Sequence, residues 1–125
     1  MAAKIAVLAT GANGSCIAAD LTGDGLDVTL IDQWPAHVEA MRANGLTIRT
    51  KAGETNVKVR APHLCDLCAL GETFDVVLLT CKAYDARWMA EFIKPYLAKD
   101  GLLIGVQNAM TAEMLAEVVG AERTV

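Results

Sequence analysis

Two closely spaced glycines, Gly11 and Gly14, lie in the segment Ala9-Thr10-Gly11-Ala12-Asn13-Gly14, and an acid, Asp32, follows further along. Later come a lysine, Lys82, and an asparagine, Asn108, each shortly after an apolar run. These residue types suit recognition of an anion and a sugar. Glycines let backbone N–H groups approach phosphate oxygens closely. A carboxylate accepts hydrogen bonds from ribose hydroxyls. Lysine supplies a point charge for a phosphate or carboxylate, and asparagine offers donors and an acceptor on one side chain.

Such groups work together only if the chain aims them. Residues 4–9 predict a buried strand, and the glycine segment follows it. An Ala-rich helix near 12–23 comes next, then a strand near 27–32 that ends at Asp32. Strand, glycine turn, helix, strand and acid is the order of a dinucleotide-binding βαβ unit. The helix N-terminus adds its partial positive charge. The fingerprint G-x-G-x-x-G is kept except at its first position, where Ala9 replaces the glycine of the tight turn. Gly11 is the position that admits phosphates, and Gly14 the one that lets helix and strand pack closely. The expected phosphate loop is therefore Ala9, Thr10, Gly11, Ala12, Asn13 and Gly14.

The rest of the chain alternates in the same way. Strands are expected near 46–50, 56–60, 75–80 and 102–106, with a last one from about 123; helices are expected near 35–43, 84–98 and 111–119. Pro35 suits the first turn of a helix, and Asn44-Gly45 its end. Residues 51–55 predict a hairpin turn. Trp88, Met89, Phe92, Ile93 and Tyr96 recur at helical spacing and predict a face packed on a sheet. Alternation of this kind defines an α/β fold of Rossmann type, a doubly wound, mostly parallel sheet with helices on both faces. A composition 54% hydrophobic fits strands buried on both sides.

With 125 residues the chain makes one domain. A net charge of −4 and the lack of a basic run argue against nucleic acid and anionic membranes as partners. The longest apolar runs are strand-sized, so no membrane span is expected. Four cysteines without a paired framework predict a cytoplasmic protein. The sequence stops where a strand begins, which predicts a piece of something longer.

Four stretches, 4–14, 28–45, 76–83 and 102–110, together resemble the N-terminal domain of ketopantoate reductases (2-dehydropantoate 2-reductases), and the resemblance spans essentially the whole chain. Its more specific parts are Thr80-Cys81-Lys82-Ala83 and Gln107-Asn108-Ala109-Met110. The resemblance implies an oxidoreductase that reduces a 2-keto acid, ketopantoate, to the 2-hydroxy acid pantoate in pantothenate biosynthesis. It makes residues 1–125 the dinucleotide-binding domain. It places Lys82 beside cofactor and substrate, and Asn108 near the nicotinamide and within reach of substrate. Physical reasoning agrees, because both follow strand ends, where ligands bind in open α/β sheets. The plainer alternatives are a solvated lysine and a turn asparagine.

The resemblance implies that the family's catalytic lysine and its substrate-binding Asn and Ser residues belong to a helical C-terminal domain, expected to lie outside residues 1–125. No catalytic residue is assigned within residues 1–125. The expected partners are a small 2-keto acid, that missing domain and a second copy in a homodimer. Ala9, Ala109 and Asp85 depart from the family pattern; Asp85 stands where many members carry glutamine. The family implies NADP, and its NADPH-using members commonly place an arginine after the second strand. Here Asp32-Gln33-Trp34 stands instead, and a carboxylate repels a 2′-phosphate, which leans the site to NAD. Arg42 or Arg49 could still reach round. Two other readings stay open: a non-catalytic nucleotide-sensing domain, and another 2-hydroxy-acid or opine-type dehydrogenase.

The remaining reactive side chains have plainer expectations. His63-Leu64-Cys65-Asp66-Leu67-Cys68 contains a C-x-x-C, but zinc needs about four ligands and His37 is far away in sequence. No metal site is expected, and both cysteines are read as small buried residues. Cys16 is read as a small helix residue, the alternative being a reactive thiol near a helix N-terminus whose modification blocks cofactor. Cys81 is read as core packing and His37 as an exposed helix residue. Trp34 either flanks an adenine or is a surface anchor.

Overall fold

The computed structural model describes residues 2–125. Its main sheet holds four parallel strands in the order β2-β1-β5-β6: β1 Lys4–Leu8, β2 Asp27–Ile31, β5 Phe74–Leu79 and β6 Leu97–Gly105. Helices α1 (Ala12–Gly23), α2 (Pro35–Asn44), α3 (Ala83–Ile93) and α4 (Ala112–Val119) make the crossovers and cover the sheet. Strands β3 (Leu46–Thr50) and β4 (Gly53–Val57) form a separate antiparallel hairpin.

The strand alternation decides which face each helix covers. Val7, Val28 and Leu30 point to one side, where they meet Ala18 and Ala19 of α1 and Val38 and Met41 of α2. Ala6, Leu8, Ile31, Val77, Leu79 and Leu103 point to the other, against Met89 and Ile93 of α3 and Leu115 and Val118 of α4. Helices therefore pack on both faces, as in a parallel sheet, although Leu102 of β6 stays exposed. The doubly wound α/β reading holds, and the stripe on α3 divides: Met89 and Ile93 are buried while Trp88 is exposed.

Boundaries differ from expectation in three places, each for a local reason. The helix expected to run to residue 98 stops at Ile93 and tightens into a 3-10 turn over Lys94–Tyr96. Pro95 lacks an N–H and its ring clashes with the preceding turn. The chain is thereby released early, and β6 begins at Leu97, opposite Phe74, with a bulge between Phe74 and Val76. The hairpin turn is tighter than residues 51–55: Thr50 pairs with Gly53, leaving Lys51-Ala52 as the loop. The strand expected near 56–60 is thus shifted to β4, and the chain beyond it bridges the β2 edge only at Thr29–Arg60 and Asp32–His63. At the opposite edge Thr124 bridges Leu103.

Gly45 closes α2 as expected. Its φ is +75°, its amide bonds to Met41 O at 2.9 Å, and a Cβ there would sit 2.9 Å from Val57 O. Only glycine fits both demands.

Candidate functional site

The strand order reverses between β1 and β5, because the chain leaves β1 for β2 on one side and returns to β5 on the other. Open α/β sheets form their ligand crevice at such a switch point, at the carboxyl ends of the strands. The loops after β1, β2, β5 and β6 carry, in turn, Gly11, Asp32, Lys82 and Asn108. The structure therefore gathers all four at one end of the sheet.

The first loop is shaped by three close approaches. Ala9 has φ +78° and is the one non-glycine residue with positive φ among the described residues. This is the fingerprint position where glycine is the usual occupant, and an alanine there costs about 1 kcal/mol of backbone strain. A Cβ on Gly14 would fall well inside contact distance of Ala9 O and Thr80 Oγ1. That close packing of α1 on the β1 end is the role expected of the last fingerprint glycine. Gly11 is the opposite case: a Cβ there would meet nothing within 4 Å. Gly11, Ala12 and Asn13 are exposed, and no side chain caps the start of α1. First-turn amides beside open space form a ready seat for phosphate oxygens.

Thr10 and Asp32 are buried and bound to each other. The Thr10 amide donates to Asp32 Oδ2 at 2.8 Å, the Thr10 hydroxyl donates to the same oxygen at 2.9 Å, and the Trp34 amide donates to Oδ1 at 2.8 Å. Asp32 is only 5% exposed. Its carboxylate ties the loop after β1 to the loop after β2, so it stands behind the site as well as beside it. His37 differs from the exposed helix residue expected: it is half-buried, and its Nε2 lies 2.8 Å from Thr10 O. Since a carbonyl only accepts, that ring nitrogen carries the proton. Ser15 donates to the same carbonyl at 2.8 Å. Trp34, 66% exposed, stands free at the start of α2.

The second pair of loops is stitched by residues to which the sequence analysis gave no role of their own. The Thr80 hydroxyl donates across the switch point to Leu8 O at 3.1 Å and to Ala9 O. The Gln107 amide donates to Leu79 O at 2.6 Å and Cys81 O at 3.3 Å, while its Oε1 accepts from Thr111 at 2.9 Å. Lys82 and Asn108 each directly follow one of these joined residues. Both are exposed, and no carboxylate among the described residues forms an ion pair with Lys82. Asp85 is occupied: it accepts from Trp88 Nε1 at 2.8 Å. Cys81 is buried, and burial followed by the Asp85 carboxylate pushes its thiol up to about 11. The signal for Thr80 and Gln107 was their place, each a polar residue shortly after an apolar strand.

Tyr84 and Met110, 83% and 100% exposed, add an apolar rim beside Lys82 and Asn108. An open hollow of about 350 Å³ lies beneath, lined by Gly105, Gln107, Met110, Thr111 and Leu115 among others. Among the described residues no group of three or more His, Cys, Asp or Glu is placed to hold a metal. No described helix is long and apolar enough to cross a membrane.

A parallel sheet with a switch-point crevice, a glycine loop after its first strand and helices on both faces is a Rossmann-type nucleotide-binding fold. A sequence profile described as ketopantoate reductase PanE/ApbA matches residues 5–125. The chain belongs to that family.

Individual relatives agree. The chain is 28% identical over 110 residues to 2-dehydropantoate 2-reductase of Lactococcus lactis, covering 88% of this chain and 35% of that protein. It is 32% identical over 110 residues to the Pyrococcus horikoshii enzyme of the same name, covering 88% and 34%. Among solved structures it is similar to a PanE/ApbA family ketopantoate reductase of Ralstonia eutropha, with a TM-score of 0.83, 34% identity and coverage of 94% and 38%. It is also similar to D-mandelate dehydrogenase in a ternary structure with NADH and anilino(oxo)acetate, with a TM-score of 0.88, 25% identity and coverage of 97% and 39%. The chain spans about a third of the length of the curated relatives it matches.

Proposed function

We propose that residues 1–125 form the cofactor-binding domain of a cytoplasmic oxidoreductase that reduces a 2-keto acid of the ketopantoate type with a nicotinamide dinucleotide. The observation that carries this reading is the open space at Gly11 in front of the uncapped α1 N-terminus, set at the switch point of the sheet. Residues Gly11 to Gly14 would hold the pyrophosphate with backbone amides. Trp34 and the Asp32 loop would flank the adenosine. When bound, the dinucleotide supplies the hydride. Lys82 brings a positive charge to the region where a keto-acid carboxylate or a phosphate would lie, and Asn108 offers hydrogen bonds from the facing loop. Thr80 and Gln107 hold those two loops in register. Nothing within residues 1–125 is assigned as proton donor; the resemblance to ketopantoate reductases implies that group in a helical C-terminal domain.

The nucleotide preference in this reading is NAD. Asp32 keeps a carboxylate, and no arginine occupies the end of β2. Arg42 lies 3.8 Å from Glu39, and Arg49 bonds Glu54 at 3.0 Å within the hairpin, so each arginine already has a carboxylate partner.

Calorimetric titration of the chain with NADH and with NADPH tests the proposal. NADH is expected to bind more tightly, and Gly11→Val to abolish binding of both by filling the open space. Unchanged affinity in that variant would overturn the loop assignment. Tighter binding of NADPH would overturn the preference alone.

A further inference from the structure

The C-x-x-C motif does not take the buried position expected of it. Leu64–Ala69 forms a 3-10 turn, and Cys65 and Cys68 are both exposed free thiols. The burial pattern fixes the periodicity. Leu67 is fully buried in the core cluster that includes residues of β5 and α3, and Leu64 and Leu70 pack partly against that cluster. Residues spaced by three thus share the inner face, as three residues per turn requires. Cys65 and Cys68 have the same spacing and so share one outer face.

The turn sets the two cysteines at a backbone spacing that a disulfide can span. Three residues of 3-10 helix rise about 6 Å with side chains eclipsed. Bridged cysteines have Cα atoms roughly 4.4 to 6.8 Å apart and Cβ atoms roughly 3.5 to 4.5 Å apart, so the Cα spacing is in range and the two Cβ atoms close by about 2 Å when the bond forms. The Cys68 thiol is turned back along the chain, with Sγ 3.6 Å from Cys65 O, while the Cys65 thiol faces Asp66 Oδ1 at 3.9 Å. Cys81 is buried in the core and Cys16 lies on α1, so neither competes for this pairing. A shared metal is not favoured, since no group of three ligands is assembled there among the described residues.

We propose that Cys65 and Cys68 are a reversible dithiol–disulfide site whose partner is a small-molecule disulfide of the glutathione class. In the first step one cysteine thiolate attacks a sulfur of the small disulfide. A protein–small-molecule S–S bond forms, the original S–S bond breaks, and one small thiolate leaves and takes up a proton. In the second step the other cysteine, deprotonated, attacks the protein sulfur of that mixed disulfide. The intrachain bond forms and the second small thiol is released. The two cysteines are oxidised, and one small disulfide is reduced to two thiols. The site stands on the turn's geometry alone and does not depend on what the sheet end binds.

The test uses the chain with Cys16→Ser, which leaves this pair as the exposed thiols. The reduced chain is equilibrated with oxidised glutathione, acid-quenched, alkylated under native conditions and analysed by peptide mass. The expected product has lost the mass of two hydrogens in the peptide carrying residues 65–68, takes up no alkylating reagent there, and regains both labels after dithiothreitol. Cys65→Ser or Cys68→Ser is expected to stop at a stable glutathione adduct. The unsubstituted chain, mapped in parallel, is expected to show the same bridge. Full double alkylation after equilibration, a persistent adduct with both cysteines present, or a bridge only between two chains would each overturn the proposal.

Discussion

Thr10 and Asp32 are joined twice, through the Thr10 amide and hydroxyl to a single carboxylate oxygen. With Trp34 on the other oxygen, all three bonds are made by a side chain that is almost wholly out of water. The acid at the end of β2 is therefore a structural tie between two loops, whatever it also offers to a ligand. Asp32→Asn puts an NH₂ group against a donor at one of these places. It is expected to cost about 1–3 kcal/mol in urea unfolding, since buried donors lose their acceptor. An unfolding midpoint unchanged from wild type would refute the tie. The same variant titrated with both nucleotides should favour NADPH relative to wild type.

Gly14→Ala is expected to destabilise by about 1–3 kcal/mol, because the new methyl group meets the Ala9 carbonyl and Thr80 hydroxyl with no room to turn away. Thermal melting checks this. A melt equal to wild type would mean that α1 slides away from β1 without cost.

Ala9→Gly goes the other way. At φ +78° a glycine removes the Cβ strain, and the gain should exceed its extra unfolded-state entropy, for a net of about 1 kcal/mol or less. A lower midpoint in this variant would show that Ala9 is relaxed.

Cys81 sets a pH limit. Its thiol is pushed from an ordinary value of 9.0 to about 11, first by burial and then by Asp85. The folded chain holds that proton where the unfolded chain has lost it, so stability should fall as pH rises from about 9 to about 11. Below about pH 9 both states are protonated and the effect vanishes. Denaturant midpoints of wild type and Cys81→Ala across this range should converge as pH rises, and parallel curves would contradict the assignment.

Turnover is expected to be absent from the 125-residue chain. Absorbance of the reduced nicotinamide should stay flat with ketopantoate, as it should for Lys82→Ala. Steady oxidation that vanishes in Lys82→Ala would relocate the catalytic machinery into this domain.

The βαβ order was legible in the sequence because strand, glycine, helix and acid signal locally and in order. Gly14 and Gly45 were legible for the same reason, since each answers a clash or a φ that only glycine meets. What escaped was set by pairing at a distance. Thr80 and Gln107 lie in the stretches that carry the resemblance, but their bonding roles exist only once β5 lies beside β1 and β6. His37 looked solvent-facing because helical spacing does not reveal a loop folded over it. The cysteines of C-x-x-C were expected inside on composition. The 3-10 period of Leu64, Leu67 and Leu70 sends them out instead.

The β2 edge of the main sheet is closed to an added strand by charge and by backbone pairing together. The segment beside it brings Arg60, whose carbonyl accepts from Leu30 N at 2.8 Å and whose guanidinium pairs with Glu72 at 2.8 Å, with Lys4 3.8 Å from the same carboxylate. Unpaired backbone along a sheet edge invites another strand, and charge beside it repels one. Arg60 thus acts as a gatekeeper against edge-to-edge aggregation as well as a strut, and replacing it with an apolar residue would remove both guards at once.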